Sequence, residues 1–181
     1  MKNALWTTAI TVVAAGVVGS AFGVLGLLSG QADAFVGMKA PEVTSLVWLN
    51  RDIPSPTEYQ GRVRLVEFWT FGCYNCRNVE PQVKAWHEKY AGQGLAVISV
   101  HSPEFAYEKN VEAVQRYVRE HRILYPVAID NDFENWKRYG NHYWPAMYLI
   151  DKKGIVRYVK AGEGGYAQTE AVIQQLLKEG A

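Results

Sequence analysis

Cysteine is scarce in this chain: two residues in 181, only three positions apart as Cys73 and Cys76. That rules out a framework of structural disulfides and a four-cysteine zinc site. The four histidines, at 87, 101, 121 and 142, are too scattered to complete a metal set, so no metal is expected. Neither sign of charge dominates, because 19 Lys and Arg stand against 18 Asp and Glu for a formal net charge of +1. No basic stripe is present, and neither nucleic acid nor an acidic polymer is an expected partner. Internal repeats and low-complexity linkers are also missing. What remains is 49% hydrophobic and 13% aromatic, which is enough to build a core, in a length that allows one ordinary domain plus an appendage.

Charge is absent altogether between Lys2 and Asp33. Roughly 20 apolar residues span a bilayer as a helix, whereas a secretory h-region is about 7 to 15 long. The uncharged stretch from Ala4 to Leu28 has the length of an uncleaved anchor. Ala32-Asp33-Ala34 fits a small-x-small cleavage site, so a cleaved signal peptide is the alternative, and glycines at 16, 19, 23 and 26 weaken the helix. Residues 1–34 are thus expected to be a membrane anchor or signal peptide. Lys2 on the cytoplasmic side places residues 35–181 outside, in the periplasm or at the cell surface, where a dithiol can exist as a disulfide.

The exported part reads as strands alternating with helices, then a hairpin and a last helix. Ser45 to Leu49 is a short strand. Val63 to Trp69 is apolar on both faces, with Val63, Leu65, Glu67 and Trp69 on one and Arg64, Val66 and Phe68 on the other, which describes a covered central strand. From Cys76, the residues Val79, Val83, Trp86 and Tyr90 recur at helical spacing, and Pro81 should kink this helix. Further elements are a strand over Leu95 to Val100, a helix over Glu108 to His121, a strand over Tyr125 to Ile129 and a short helix over Asn131 to Tyr139. A hairpin pairs Met147 to Ile150 with Ile155 to Val159, and Thr169 to Lys178 is the closing helix. The pattern predicts an α/β sheet with an antiparallel edge.

Cys73-Tyr74-Asn75-Cys76 sits where the central strand gives way to the helix. Covalent haem attachment needs histidine after the second cysteine, and that position is Arg77. Dithiol chemistry fits better: Cys73, at a helix start whose free N–H groups and dipole favour a thiolate, attacks a disulfide, and Cys76 resolves the mixed disulfide. A structural disulfide is the plain alternative, although so small a loop constrains little chain entropy. Glu67 lies between Leu65 and Trp69, where burial raises its pKa and fits it to exchange a proton with Cys76. The competing reading pairs it with a nearby Lys or Arg. Met147 and Trp136 read as packing.

The run Glu67-Phe-Trp-Thr-Phe-Gly-Cys-Tyr-Asn-Cys76, followed by Pro81, resembles the thioredoxin superfamily. The helix-strand segment between Val100 and Trp144 is similar to that of the TlpA-like and ResA-like branch. His101-Ser-Pro-Glu-Phe105, Tyr125-Pro-Val-Ala-Ile-Asp-Asn131, Tyr143-Trp-Pro-Ala-Met-Tyr-Leu-Ile-Asp151 and Gly162-Glu-Gly-Gly-Tyr166 resemble the thioredoxin-like domain of DipZ-type proteins. The resemblance implies a thioredoxin-like fold, a mixed sheet with helices on both faces and an inserted helix-strand segment, preceded by the N-terminal hydrophobic helix. It also implies a cis proline at Pro145 beside the cysteines. The activity implied is extracytoplasmic thiol-disulfide exchange with cysteine-containing exported proteins, apocytochrome c among them, with no cofactor beyond the redox-active Cys73–Cys76 pair.

Tyr74, Asn75, Trp69, Trp144 and His101 are the expected substrate-docking residues. DipZ-type proteins usually carry this domain behind a CcdA-like electron-importing membrane region, whereas this chain offers at most one span. A separate membrane thiol donor of the CcdA-like kind is therefore expected, unless the pair works as an oxidant. Two other chemistries stay open on the residues alone. Thr70, three positions before Cys73, suits a thiol peroxidase with Cys76 as resolving cysteine. Two soft thiolates also suit a carrier of Cu(I).

Overall fold

The computed structural model describes residues 35–55 and 57–180. The anchor or signal expected over residues 4–28, and its cleavage site, lie outside these residues. No helix among the described residues is long and apolar enough to cross a membrane.

Six strands form one sheet: β1 (Trp48–Leu49), β2 (Val63–Trp69), β3 (Leu95–His101), β4 (Val127–Ile129), β5 (Ala146–Ile150) and β6 (Val156–Ala161). Their order across the sheet is β1-β4-β3-β2-β5-β6. Strands β2, β3 and β4 run parallel, and β1, β5 and β6 pair antiparallel to their neighbours. Among the described residues four α-helices accompany the sheet: α1 (Tyr74–Tyr90), α2 (Val111–Glu120), α3 (Glu134–Arg138) and α4 (Tyr166–Lys178). This is a mixed α/β sheet with an antiparallel edge, as the sequence pattern predicts.

The central strand divides the core. Leu65 and Trp69 on one pleat of β2 join Cys76, Val79, Val83 and Trp86 of α1, Val114 and Val118 of α2, and Ile173 and Leu176 of α4. Val66 and Phe68 on the other pleat join Ile98, Tyr139, Tyr148 and Ile150. Phe68 is the hub of that second cluster, with edge-on contacts to Trp136, Tyr139 and Tyr148 at centroid distances of 6.0, 5.3 and 5.7 Å. Burying aromatic rings on both faces of β2 fixes its register, since a shift of one residue would exchange the two faces.

Several elements start later or earlier than hydrophobic spacing suggests, each for a local reason. Helix α2 begins at Val111 rather than Glu108, because Asn110 caps it by accepting the Ala113 N–H at 2.8 Å and the Glu108 carboxylate is used elsewhere. Strand β4 begins after Pro126, which has no N–H to give a ladder. Helix α3 begins at Glu134, where the Asp130 carboxylate accepts the N–H groups of Asn135 and Trp136 at 2.8 and 3.0 Å. Helix α4 starts at Tyr166, three residues before Thr169, after Gly165 at a φ of 67°. At the sheet edge, β1 is only two residues long because the Ser45 hydroxyl turns the chain, accepting the Val47 N–H at 3.1 Å. Helix α1 continues through Pro81 from Tyr74 to Tyr90.

Candidate active site

Strand β2 ends at Trp69, a turn of Thr70, Phe71 and Gly72 follows, and Cys73 is the N-cap of α1. The Cys76 N–H donates to Cys73 Sγ at 3.2 Å, a donor that a helix start otherwise leaves free. Both cysteines are free thiols, Cys73 half-buried and Cys76 only 2% exposed. The hydrogen bond from the Cys76 thiol does most to pull the Cys73 pKa down from 9.0 to about 7; burial opposes it, and the Cys76 and Asn75 backbone groups assist. Burial pushes the Cys76 thiol the other way, well above its ordinary value. One sulfur is therefore poised to ionise and the other to hold its proton.

Glu67 sits on the α1 face of β2, in register with Ser99 on β3 and Met147 on β5, and is 3% exposed. The Ser99 hydroxyl donates to its carboxylate at 3.3 Å. Burial raises its pKa from 4.5 to about 8, against the Ser99 bond and with a contribution from the charge of Glu80. Among the described residues no Lys, Arg or His forms an ion pair with it, so the paired-acid reading does not hold. Its charge in turn raises the Cys76 pKa, which places the two groups within electrostatic reach.

The Trp144–Pro145 peptide is cis. Pro145 is buried at the start of β5, and because Ala146 is in register with Phe68, it lies beside the end of β2 that leads to Cys73. Trp144 is half-buried against the same cluster as Cys73, and its indole N–H donates to the Ser102 carbonyl at 2.8 Å. Tyr74 and Asn75 are exposed. Met147 and Trp136 are packing residues, one in each cluster.

Two docking expectations need correction. Trp69 is 4% exposed, with its ring 5.3 Å from His101 and 5.6 Å from Tyr117, so it forms the wall beneath the cysteines and presents no surface. His101 is fully buried; its Nε2 meets Thr70 Oγ1 at 3.1 Å, and burial lowers its pKa to about 4. It ends its strand facing inward because Phe71 stacks over it at 5.7 Å. Thr70 is fully buried, with its hydroxyl taken up by that bond.

The residues that sequence reasoning missed come from the inserted segment and from α1. Glu108, fully buried, accepts the N–H of Gly72 at 3.0 Å and those of Glu104 and Phe105 at 2.6 and 2.9 Å. It ties the turn before Cys73 to the loop after β3. Phe105 and Tyr107 are exposed and stacked at 5.8 Å, and Tyr107 also touches Phe71, so they add an aromatic rim near the cysteines. Glu80 is a second buried acid, held by Lys84 at 2.9 Å, Tyr117 at 2.7 Å and His121 at 3.1 Å. The one visible signal for the Glu108 contact was Gly72, next to the cysteines.

A Cβ at Gly72 would collide with the Glu108 carboxylate and the Tyr107 hydroxyl. Gly72→Ala is expected to cost about 1 to 3 kcal/mol of stability, the usual scale for overpacking, and to slow alkylation of Cys73. Thermal unfolding and iodoacetamide labelling would check both.

Among the described residues no group of three or more His, Cys, Asp or Glu is placed to hold a metal. The sequence model of the AhpC/TSA family matches residues 36–159. The chain belongs to this family. DipZ of Mycobacterium tuberculosis is 42% identical over 144 residues, covering 77% of this chain and 21% of that protein. This member of the AhpC/TSA family therefore spans about a fifth of the length of the DipZ protein it matches. The thiol-disulfide oxidoreductase YkuV of Bacillus subtilis is 31% identical over 140 residues, covering 77% of this chain and 94% of that one. A thiol-disulfide isomerase of Corynebacterium glutamicum superposes with a TM-score of 0.70 at 27% identity, covering 77% of this chain and 97% of its own. The fold is thioredoxin-like, and the likeness to DipZ read from the motifs is borne out.

Proposed function

We propose that the protein works outside the cytoplasm, tethered by residues 4–28, and reduces disulfides in cysteine-containing exported proteins, apocytochrome c among them. The observation that carries this reading is the asymmetric pair: a half-buried Cys73 with its pKa lowered to about 7 and a Cys76 only 2% exposed. The Cys73 thiolate attacks one sulfur of the substrate disulfide, forming a mixed disulfide and releasing the other sulfur as a thiolate. Cys76 then loses its proton and attacks Cys73 Sγ, which closes the Cys73–Cys76 disulfide and frees the second substrate thiolate. Two electrons pass to the substrate, and the pair itself is the redox group. Glu67 takes the Cys76 proton, and Pro145 with Trp144 lines the side of the site facing the incoming chain. Tyr74 and Asn75 are the exposed contacts between the cysteines.

The same pair runs in reverse when a membrane thiol donor of the CcdA-like kind re-reduces it. Dithiols on such scaffolds span about −120 to −270 mV, and Tyr74-Asn75 does not fix a value within that range.

Trapping tests the reading. Cys76→Ala expressed with its export segment is expected to accumulate mixed disulfides with exported cysteine proteins, released by dithiothreitol and absent when Cys73 is also replaced. Apocytochrome c among the trapped proteins would support that branch of the proposal. A Cys73 that stays unmodified in the variant, or a parent pair that never cycles in glutathione buffers, overturns the reading.

A further inference from the structure

The sheet face turned away from Cys73 carries a cavity of about 450 Å³. Val66 and Tyr139, from the second core cluster, form part of its lining, and Trp48 is part of its wall. Sites of this size, mostly apolar with a few polar groups, suit small organic ligands. The charge around the cavity is one-sided. Lys39, Arg64, Lys152 and Lys153 line it with a single acid, Glu42. Lys152 is committed to carbonyls at the end of α4, those of Leu177 and Glu179.

Arg64 and Lys39 converge on one spot, where Lys39 Nζ also donates to the Lys153 carbonyl at 3.2 Å. The point a Gly154 side chain would occupy lies 3.2 Å from Arg64 Nη2 and 3.3 Å from Lys39 Nζ. Arg64 comes from the central strand, on the pleat opposite Glu67; its Nε is buried and meets no acceptor. No carboxylate among the described residues forms an ion pair with either cation. Two like charges drawn to one spot repel each other, and a guanidinium whose buried Nε meets no acceptor among the described residues has a donor to spare. An acidic group on a ligand answers both.

We propose that this cavity binds a small organic anion, its acidic group between Arg64 and Lys39 and its apolar body against Val66, Trp48 and Tyr139. The occupant is a carboxylate, sulfonate or phosphate ester on an aromatic or short aliphatic frame. The site is separate from the thiol chemistry, because it opens on the other face of β2.

The test is titration calorimetry of the full chain in phosphatidylcholine nanodiscs with naphthalene-2-sulfonate as the probe and empty discs as the blank. Saturable binding to one site is expected, weakening about tenfold or more in Arg64→Gln and several-fold in Lys39→Gln, the scale of a lost charge-assisted contact. Thiol exchange at Cys73 should be unchanged in both variants. Lys39 is exposed, so its replacement keeps the test valid where the strand variant fails to fold. Absence of saturable binding, equal affinity in parent and variants, or equal affinity for uncharged naphthalene each overturns the proposal.

Discussion

Replacing Glu67 by glutamine is expected to stabilise the protein at alkaline pH and to slow its second chemical step. The carboxyl is 3% exposed, and burial holds its pKa at about 8 instead of 4.5. A folded pKa raised above the unfolded one means that the folded state keeps a proton the unfolded state has released. The stability contributed by the neutral acid is fully present below about pH 4.5 and is lost as pH rises through about 8. A shift of this size corresponds to about 3 to 5 kcal/mol, and glutamine does not charge. Urea unfolding of the reduced protein should therefore show parent and variant close together near pH 5 and well apart near pH 9.

The kinetic consequence has the opposite sign. Without an acceptor for the Cys76 proton, release of the mixed disulfide should slow about 100-fold near neutral pH, the lower range for a lost general base. A stability shift with an unchanged pH–rate profile would leave Glu67 a buried acid and no part of the mechanism.

The two cysteines are expected to differ in alkylation rate by at least about a thousandfold near pH 7, because the thiolate is the nucleophile. At its pKa of about 7, Cys73 is half ionised there, whereas burial and the neighbouring sulfur keep Cys76 protonated. Mass spectrometry after brief iodoacetamide treatment should find label on Cys73 alone, with a pH midpoint near 7 instead of the ordinary 9.0. Cys73→Ser should abolish exchange, and Cys76→Ala should keep the first attack and lose release. Comparable labelling of both cysteines would mean that Cys76 is not shielded, and the division of roles would fail.

Much of this site was legible in the sequence, because local geometry determines it. The spacing from Cys76 to Tyr90 places one cysteine in the core and leaves the other at the helix start, as found. Alternation along β2 put Glu67 on the apolar pleat with Leu65 and Trp69, and burial then follows. The docking residues were read less well, since pattern alone does not tell a ring lining a site from one beneath it. His101 reaches the correct end of the sheet, but Phe71 and Thr70 enclose it. Glu108 was hidden for a different reason. Its partners are backbone N–H groups at Gly72, Glu104 and Phe105, and no side-chain pattern marks which amides a carboxylate will collect. The cavity beneath Arg64 also escaped, because it needs Lys39 and Gly154 from distant parts of the chain.

The Glu108 contact bears on how far this domain can be trimmed. Cutting out the stretch between β3 and β4 to leave a minimal sheet would remove the acceptor for the Gly72 N–H. The nucleophile's turn would then lose its brace, although Cys73, Cys76 and Glu67 all lie outside the excised piece. Any graft of this cysteine motif onto a shorter scaffold has to bring a replacement acceptor at that position, or accept a loosely held nucleophile.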